Sequence, residues 1–173
     1  MSKKNSPLYV TEDQFKGWLK DQYKSLCTYF EKNPLTHIIS ICDELHGECA
    51  LTNTRTGRTT IAKCRPVDQF DTEAGYAIAW AKYNNVKVLK VYKYIPITEL
   101  RPGMILVDLE TQSEHEFIGI NAIDNNLFTI YYEPSCLPYM GATMEKNKCF
   151  YTRKKNDVEY VRVLDKSVTS TYS

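Results

Sequence analysis

Apolar side chains recur at every third or fourth residue in only two stretches of this chain; elsewhere they come in short alternating or β-branched runs. That contrast confines helices to two places and leaves strands for the rest. In the first stretch Phe15, Trp18, Leu19, Tyr23, Leu26 and Phe30 share a face, with Lys16, Lys20 and Lys24 opposite. Thr11 ahead of Glu12, Asp13 and Gln14 forms a capping-box pattern with acids in the first turn, and Asn33-Pro34 ends the helix. In the second stretch Ala74, Ala77, Ile78 and Ala81 make a narrow stripe. Its small side chains, with Gly75, let a helix lie close on a sheet, and Asn84-Asn85 ends it.

Three strand-like runs lie between the helices. His37 to Cys42 is β-branched and reads as a buried strand; Glu48 to Asn53 and Thr59 to Cys64 follow. Glu44 to Gly47 is a turn, and Thr54-Arg55-Thr56-Gly57-Arg58 a hairpin tip in which Gly57 is free to take positive φ. Pro66 stops the third strand. Residues 1–85 thus predict a helix–three-strand antiparallel sheet–helix module. Residues 86–173 predict a second module of strands: 86–95, 105–107, 115–120 pairing with 127–132 around Asp124-Asn125-Asn126, and 149–152 pairing with 158–163 around Lys154 to Asp157. A longer loop spans Pro134 to Lys146. Short strands joined by polar turns suggest a small, mostly antiparallel, barrel-like module. The fold class is α+β.

Charge narrows the function classes. The net charge of +1 argues against an acidic nucleic-acid mimic and against a strongly basic nucleic-acid coat. The segment 86–133 is acidic and the tail, residues 134–173, is modestly basic. The start, Met1-Ser2-Lys3-Lys4-Asn5, does not read as a signal peptide, and no run is long enough to span a bilayer. Cys27, Cys42, Cys49, Cys64, Cys136 and Cys149 contain no Cys-x-x-Cys and read as reduced, mostly buried thiols of a cytoplasmic protein.

Catalytic chemistry is not legible. His37, His46 and His115 belong to no nucleophile or metal motif. Cys64 with His37 would be a thiol–imidazole pair only if the fold joined them. Glu110, Glu114 and Glu116 read as solvated acids. Cys42, His46 and Cys49 have loop-ligand spacing, but a structural zinc site wants a fourth ligand that is not evident. No glycine loop cradles a phosphate. The expectation is a non-enzyme without cofactor or metal.

Binding chemistry is easier to find. The chain has 13 tyrosines, which suit interfaces and half-buried strands alike. Leu137, Tyr139 and Met140, in a proline-bracketed loop, together with Tyr132, are anchor types for a protein partner. The same loop could instead plug the β module. Arg55 and Arg58 on one hairpin and Lys154 and Lys155 on another could hold phosphates, with Lys146, Lys148 and Arg153 near the second. Hairpin-tip charges also serve to protect sheet edges. An open edge on the three-stranded sheet could be covered by homodimerisation.

The densest local pattern is Gly57 followed by Ala62, Cys64, Pro66, Asp68, Phe70, Asp71 and Gly75. Physically it is a strand-to-helix corner: Cys64 points inward, Pro66 stops the ladder, Asp68 or Asp71 caps the helix, Phe70 staples the first turn and Gly75 permits close approach. The stretch resembles small proteins of bacteriophages and mobile elements, in which a glycine hairpin leads into Ala-x-Cys-x-Pro-x-Asp-x-Phe-Asp. The resemblance covers about 20 residues. It implies a non-catalytic binding protein acting in the cytoplasm of a bacterial host on a host protein or nucleoprotein complex, such as an anti-CRISPR-like inhibitor of a defence nuclease. The alternative is a nucleic-acid-binding protein using the two basic hairpins. The element order of the first module also resembles the double-stranded-RNA-binding domain. That domain sets lysines at the start of its second helix. Here Asp68, Asp71 and Glu73 stand there, and acids cancel the dipole that would attract phosphate.

Overall fold

The computed structural model describes residues 8–63, 71–122, 127–133, 142–145 and 152–169. These form two compact units: residues 10–91 with 166–169, and residues 8–9 with 92–165. The fold is α+β.

The first unit begins at the end of β1 (Tyr9–Val10) and runs into α1 (Glu12–Lys32). The capping box at Thr11 is closed in both directions. Gln14 N–H donates to Thr11 Oγ1 at 3.3 Å, and Thr11 N–H donates to Gln14 Oε1 at 3.0 Å. At the other end the Asn33 side chain donates to the Tyr29 carbonyl at 2.8 Å. Strands β2 (Ile38–Asp43), β3 (Glu48–Asn53) and β4 (Thr59–Lys63) form an antiparallel sheet in that order. Gly57 takes φ +76° in the β3–β4 hairpin, as its tip requires.

Helix α2 (Thr72–Tyr83) is capped by Asp71, whose carboxylate accepts from Ala74 N–H at 3.2 Å. It packs on β3 and β4 and also on α1. Ala74, Gly75, Ala77, Ile78, Ala79, Trp80 and Ala81 are all buried. The expected narrow stripe was an underestimate: small residues around the helix allow close approach on two sides. Phe15, Leu26, Ile38, Leu51, Ile78 and Trp80 form the core of this unit.

The reading of β2 as a buried strand is corrected. Only Ile38 is buried, and the strand is otherwise largely exposed. Helix α2 lies on β3 and β4, so on the edge strand β2 even the helix-side Ser40 and Cys42 stay exposed, while alternate positions face outward. Ile39, Ile41 and Ile61 are 45%, 52% and 41% exposed.

The second unit is mostly antiparallel. Its strands are β5 (Lys90–Pro96), β6 (Ile105–Asp108), β7 (Ser113–Ala122), β8 (Leu127–Glu133), β9 (Ala142–Glu145), β10 (Thr152–Lys155) and β11 (Val158–Leu164). The sheet order is β1-β5-β11-β6-β7-β8-β9, with β10 also on β11. Among the described residues no pairing closes it into a barrel. Leu100, Leu106, Phe117, Val161 and Val163 form its core.

Three boundaries differ from expectation. β5 starts at Lys90, because Val88 and Leu89 pack on the first unit's core instead of pairing. β9 lies inside the segment expected to be a loop. The β10–β11 turn is Asn156-Asp157, at φ +50° and +60°, so Lys154 and Lys155 belong to the strand and not to the turn. A two-residue hairpin with both central residues at positive φ matches the twist of its strands. A short 3-10 turn (Ile97–Glu99) and α3 (Lys166–Thr169) complete the elements.

Candidate functional site

Alternation along three paired strands gathers tyrosines and cations on one sheet face. In β11, Val161 and Val163 are buried, so Tyr160, Arg162 and Leu164 take the opposite face. The register sets Tyr160 against Pro96, Arg162 against Tyr94 and Leu164 against Tyr92. On the far side of β11, Arg153 pairs with Tyr160 and Lys155 with Val158. The face therefore reads Tyr92, Tyr94, Pro96 on β5, Val158, Tyr160, Arg162, Leu164 on β11, and Arg153, Lys155 on β10. It carries three cations, and no acid occupies any of these positions.

The side chains converge on Tyr94. The Arg153 guanidinium lies 5.7 Å from its ring centre and that of Arg162 lies 5.9 Å away. Such contacts set a guanidinium against the electron-rich ring. Tyr92 meets Tyr94 edge to face at 5.8 Å. Burial raises the Tyr92 phenol above its ordinary value, Tyr94 adds to that, and Arg162 opposes it. Tyr94, Arg153, Lys155 and Tyr160 line a shallow cleft of about 190 Å³.

The basic residues expected to act are distributed differently. Lys155 is on this face, whereas Lys154 pairs in register with Glu159, out of step with it. Arg58 is engaged within the first unit: it donates to Asn85 Oδ1 at 3.1 Å and lies 4.8 Å over the Tyr83 ring. Arg55 lines a cleft of about 700 Å³ with Tyr29, Thr36, His37 and Asn53. Tyr132 is on β8, in register with Phe117. Leu137, Tyr139 and Met140 lie outside the described residues, as do Cys64, Pro66, Asp68 and Phe70. Of the corner motif, Gly57 holds the hairpin, Asp71 caps α2 and Gly75 is buried in it.

Among the described residues, those weighed for chemistry form no metal set, and Cys64 of the Cys64–His37 pair lies outside them. His46 Nδ1 is 2.7 Å from Asp43 Oδ2, and this hydrogen bond holds the Asp43 carboxyl below its usual range. No group of three metal-ligating side chains occurs among the described residues, so Cys42, His46 and Cys49 form no such set. Among the same residues no helix is long and apolar enough to cross a membrane. Sequence reasoning missed Tyr92, Tyr94, Tyr160 and Arg162. The Tyr-x-Tyr and Tyr-x-Arg spacings were the available signal, since residues two apart in a strand share a face. No protein-family model matches this chain, and neither does any curated protein or solved structure.

Proposed function

We propose that this chain is a non-catalytic binding protein that holds single-stranded nucleic acid on the Tyr94 face of its second unit. The observation that supports this most is Tyr94 flanked by Arg153 and Arg162, with Lys155 and Tyr160 beside them. Single strands bind where cations track the phosphates and aromatic rings accept the bases. A chain with a net charge of +1 that sets Arg153, Lys155 and Arg162 at neighbouring positions of β10 and β11 can attract phosphate there without being basic throughout. Tyr160, half-buried, offers a ring to a base, and the exposed Arg153 and Lys155 offer donors to phosphate oxygens. The test is fluorescence anisotropy with labelled single-stranded and duplex oligonucleotides. Tighter binding of single strands supports the reading, and no binding to either at low salt rejects it.

A second reading has its own observation. Ile39, Ile41 and Ile61 leave an apolar patch on the outer face of β2 and β4, a feature that suits a protein partner. It accords with the bacteriophage-like motif from Gly57 to Gly75, and with an inhibitor of a host defence nuclease complex working in the bacterial cytoplasm. Capture from a bacterial lysate with and without nuclease separates the two. Nucleic acid recovered without protein favours the Tyr94 face, and a nuclease-resistant protein favours the isoleucine face.

A further inference from the structure

The two strands of the first hairpin carry a cysteine each, and the register sets them directly opposite: Cys42 on β2 pairs with Cys49 on β3. Neither is in a disulfide. The hydrogen-bond pattern fixes the kind of pair. Asn53 N–H donates to Arg58 O, toward β4, and Thr54 N–H donates to His37 O, toward β2. Bonding direction alternates along a strand, so Asn53, Leu51 and Cys49 turn their peptide groups to β4. Cys42 and Cys49 are then a non-hydrogen-bonded cross-strand pair, with Cα atoms about 4.5 Å apart. A disulfide needs Cα atoms roughly 4.4–6.8 Å apart, so the backbone already meets the requirement.

Both sulfurs also meet the same residue at the start of α2. Cys42 Sγ lies 4.0 Å from Thr72 Oγ1, and Cys49 Sγ lies 3.7 Å from the Thr72 carbonyl. Tyr76, one turn along α2, feels both. Burial raises its phenol first, then Cys49 and Cys42. The two side chains therefore point to one place, on the helix side of the sheet. Their exposure is unequal: Cys42 is exposed and Cys49 is buried.

We propose that Cys42 and Cys49 are an oxidisable thiol pair that closes to a cross-strand disulfide, with Cys42 reacting first and Cys49 resolving it. The co-reactant is a small disulfide of the glutathione type. The Cys42 thiolate attacks one sulfur of that disulfide, forming a mixed disulfide and releasing one glutathione thiolate. The Cys49 thiol gives up its proton and attacks Cys42 Sγ, and the second glutathione leaves as thiolate. Two protein thiols are oxidised and one external disulfide is reduced to two thiols. The new bond ties β2 to β3 beside the N-terminus of α2.

The test uses the full chain with glutathione disulfide, followed by alkylation and tryptic mass mapping without reductant. One tryptic peptide, Asn33–Arg55, holds both cysteines. The expected product is that peptide lighter than the dithiol form by two hydrogen atoms and closed to alkylation. The linkage should form several-fold faster in native buffer than in urea. Cys49→Ser should stop at a glutathione adduct on Cys42, whereas Cys42→Ser should leave Cys49 unmodified in the folded chain. Circular dichroism checks that both variants fold. Full alkylation at both positions, a bond from Cys42 to a different cysteine, or equal rates in native buffer and urea would each overturn the proposal.

Discussion

Removing Arg153 and Lys155 tests the binding face quantitatively. Both side chains are exposed, so Arg153→Gln/Lys155→Gln leaves the fold intact. Each cation that neutralises a phosphate releases counterions, and for single strands the logarithm of affinity falls with that of salt by about 0.7 per contact. With Arg153 and Lys155 both engaged, the slope is roughly −1.4, so a tenfold rise in potassium chloride weakens binding roughly 25-fold. With both removed the slope falls to about zero, and the same rise leaves binding nearly unchanged. The assay is anisotropy of a labelled oligothymidylate titrated at several salt concentrations, with circular dichroism as the folding control. An unchanged slope in the double variant would refute the reasoning, and so would a flat salt dependence in the parent chain.

Other outcomes follow from the same geometry. Tyr160→Ala is expected to weaken oligonucleotide binding by about 1–3 kcal/mol while leaving the salt slope as it was, since it removes a stacking ring and no charge. Trp80→Ala should cost about 3 kcal/mol or more in urea unfolding: Trp80 is buried, lies on Tyr83 at 5.8 Å and donates to Ser25 Oγ at 3.2 Å. Asp71→Ala should cost about 1 kcal/mol, because the Ala74 N–H loses its cap. Burial raises the phenols of Tyr9, Tyr76 and Tyr92 above the value of 10 that the unfolded chain keeps. The unfolded state therefore loses these protons first. Urea midpoints should hold up to about pH 10 and fall above it, and a midpoint rising through that window would contradict the burial of these groups.

The sequence carried the local punctuation well. Thr11 with Gln14, Asn33, Gly57 and Asp71 each do in the structure what their chemistry suggests, because caps and turns are decided within a few residues. Pairing and burial depend on distant partners, and those were harder to read. Ile38-Ile39-Ser40-Ile41 looks buried as a string, but the strand is at the sheet edge, beyond the helix that covers β3 and β4, and no local residue announces that. Asn156-Asp157 lacks the glycine that marks a two-residue hairpin, so the strand beginning at Thr152 was read too early and Lys155 was placed in a turn. The candidate face needed still more distant information. Tyr94 and Arg162 are far apart in the chain and meet only because β11 pairs with β5.

The most direct measurement is an amide chemical-shift titration of the isotope-labelled chain with a short single-stranded oligonucleotide. The account predicts shifts at Tyr92, Tyr94, Arg153, Lys155, Tyr160 and Arg162, with β2, β3 and β4 unmoved. Shifts centred on the Asn53–Arg58 hairpin, or none at any ratio of oligonucleotide to protein, would contradict it.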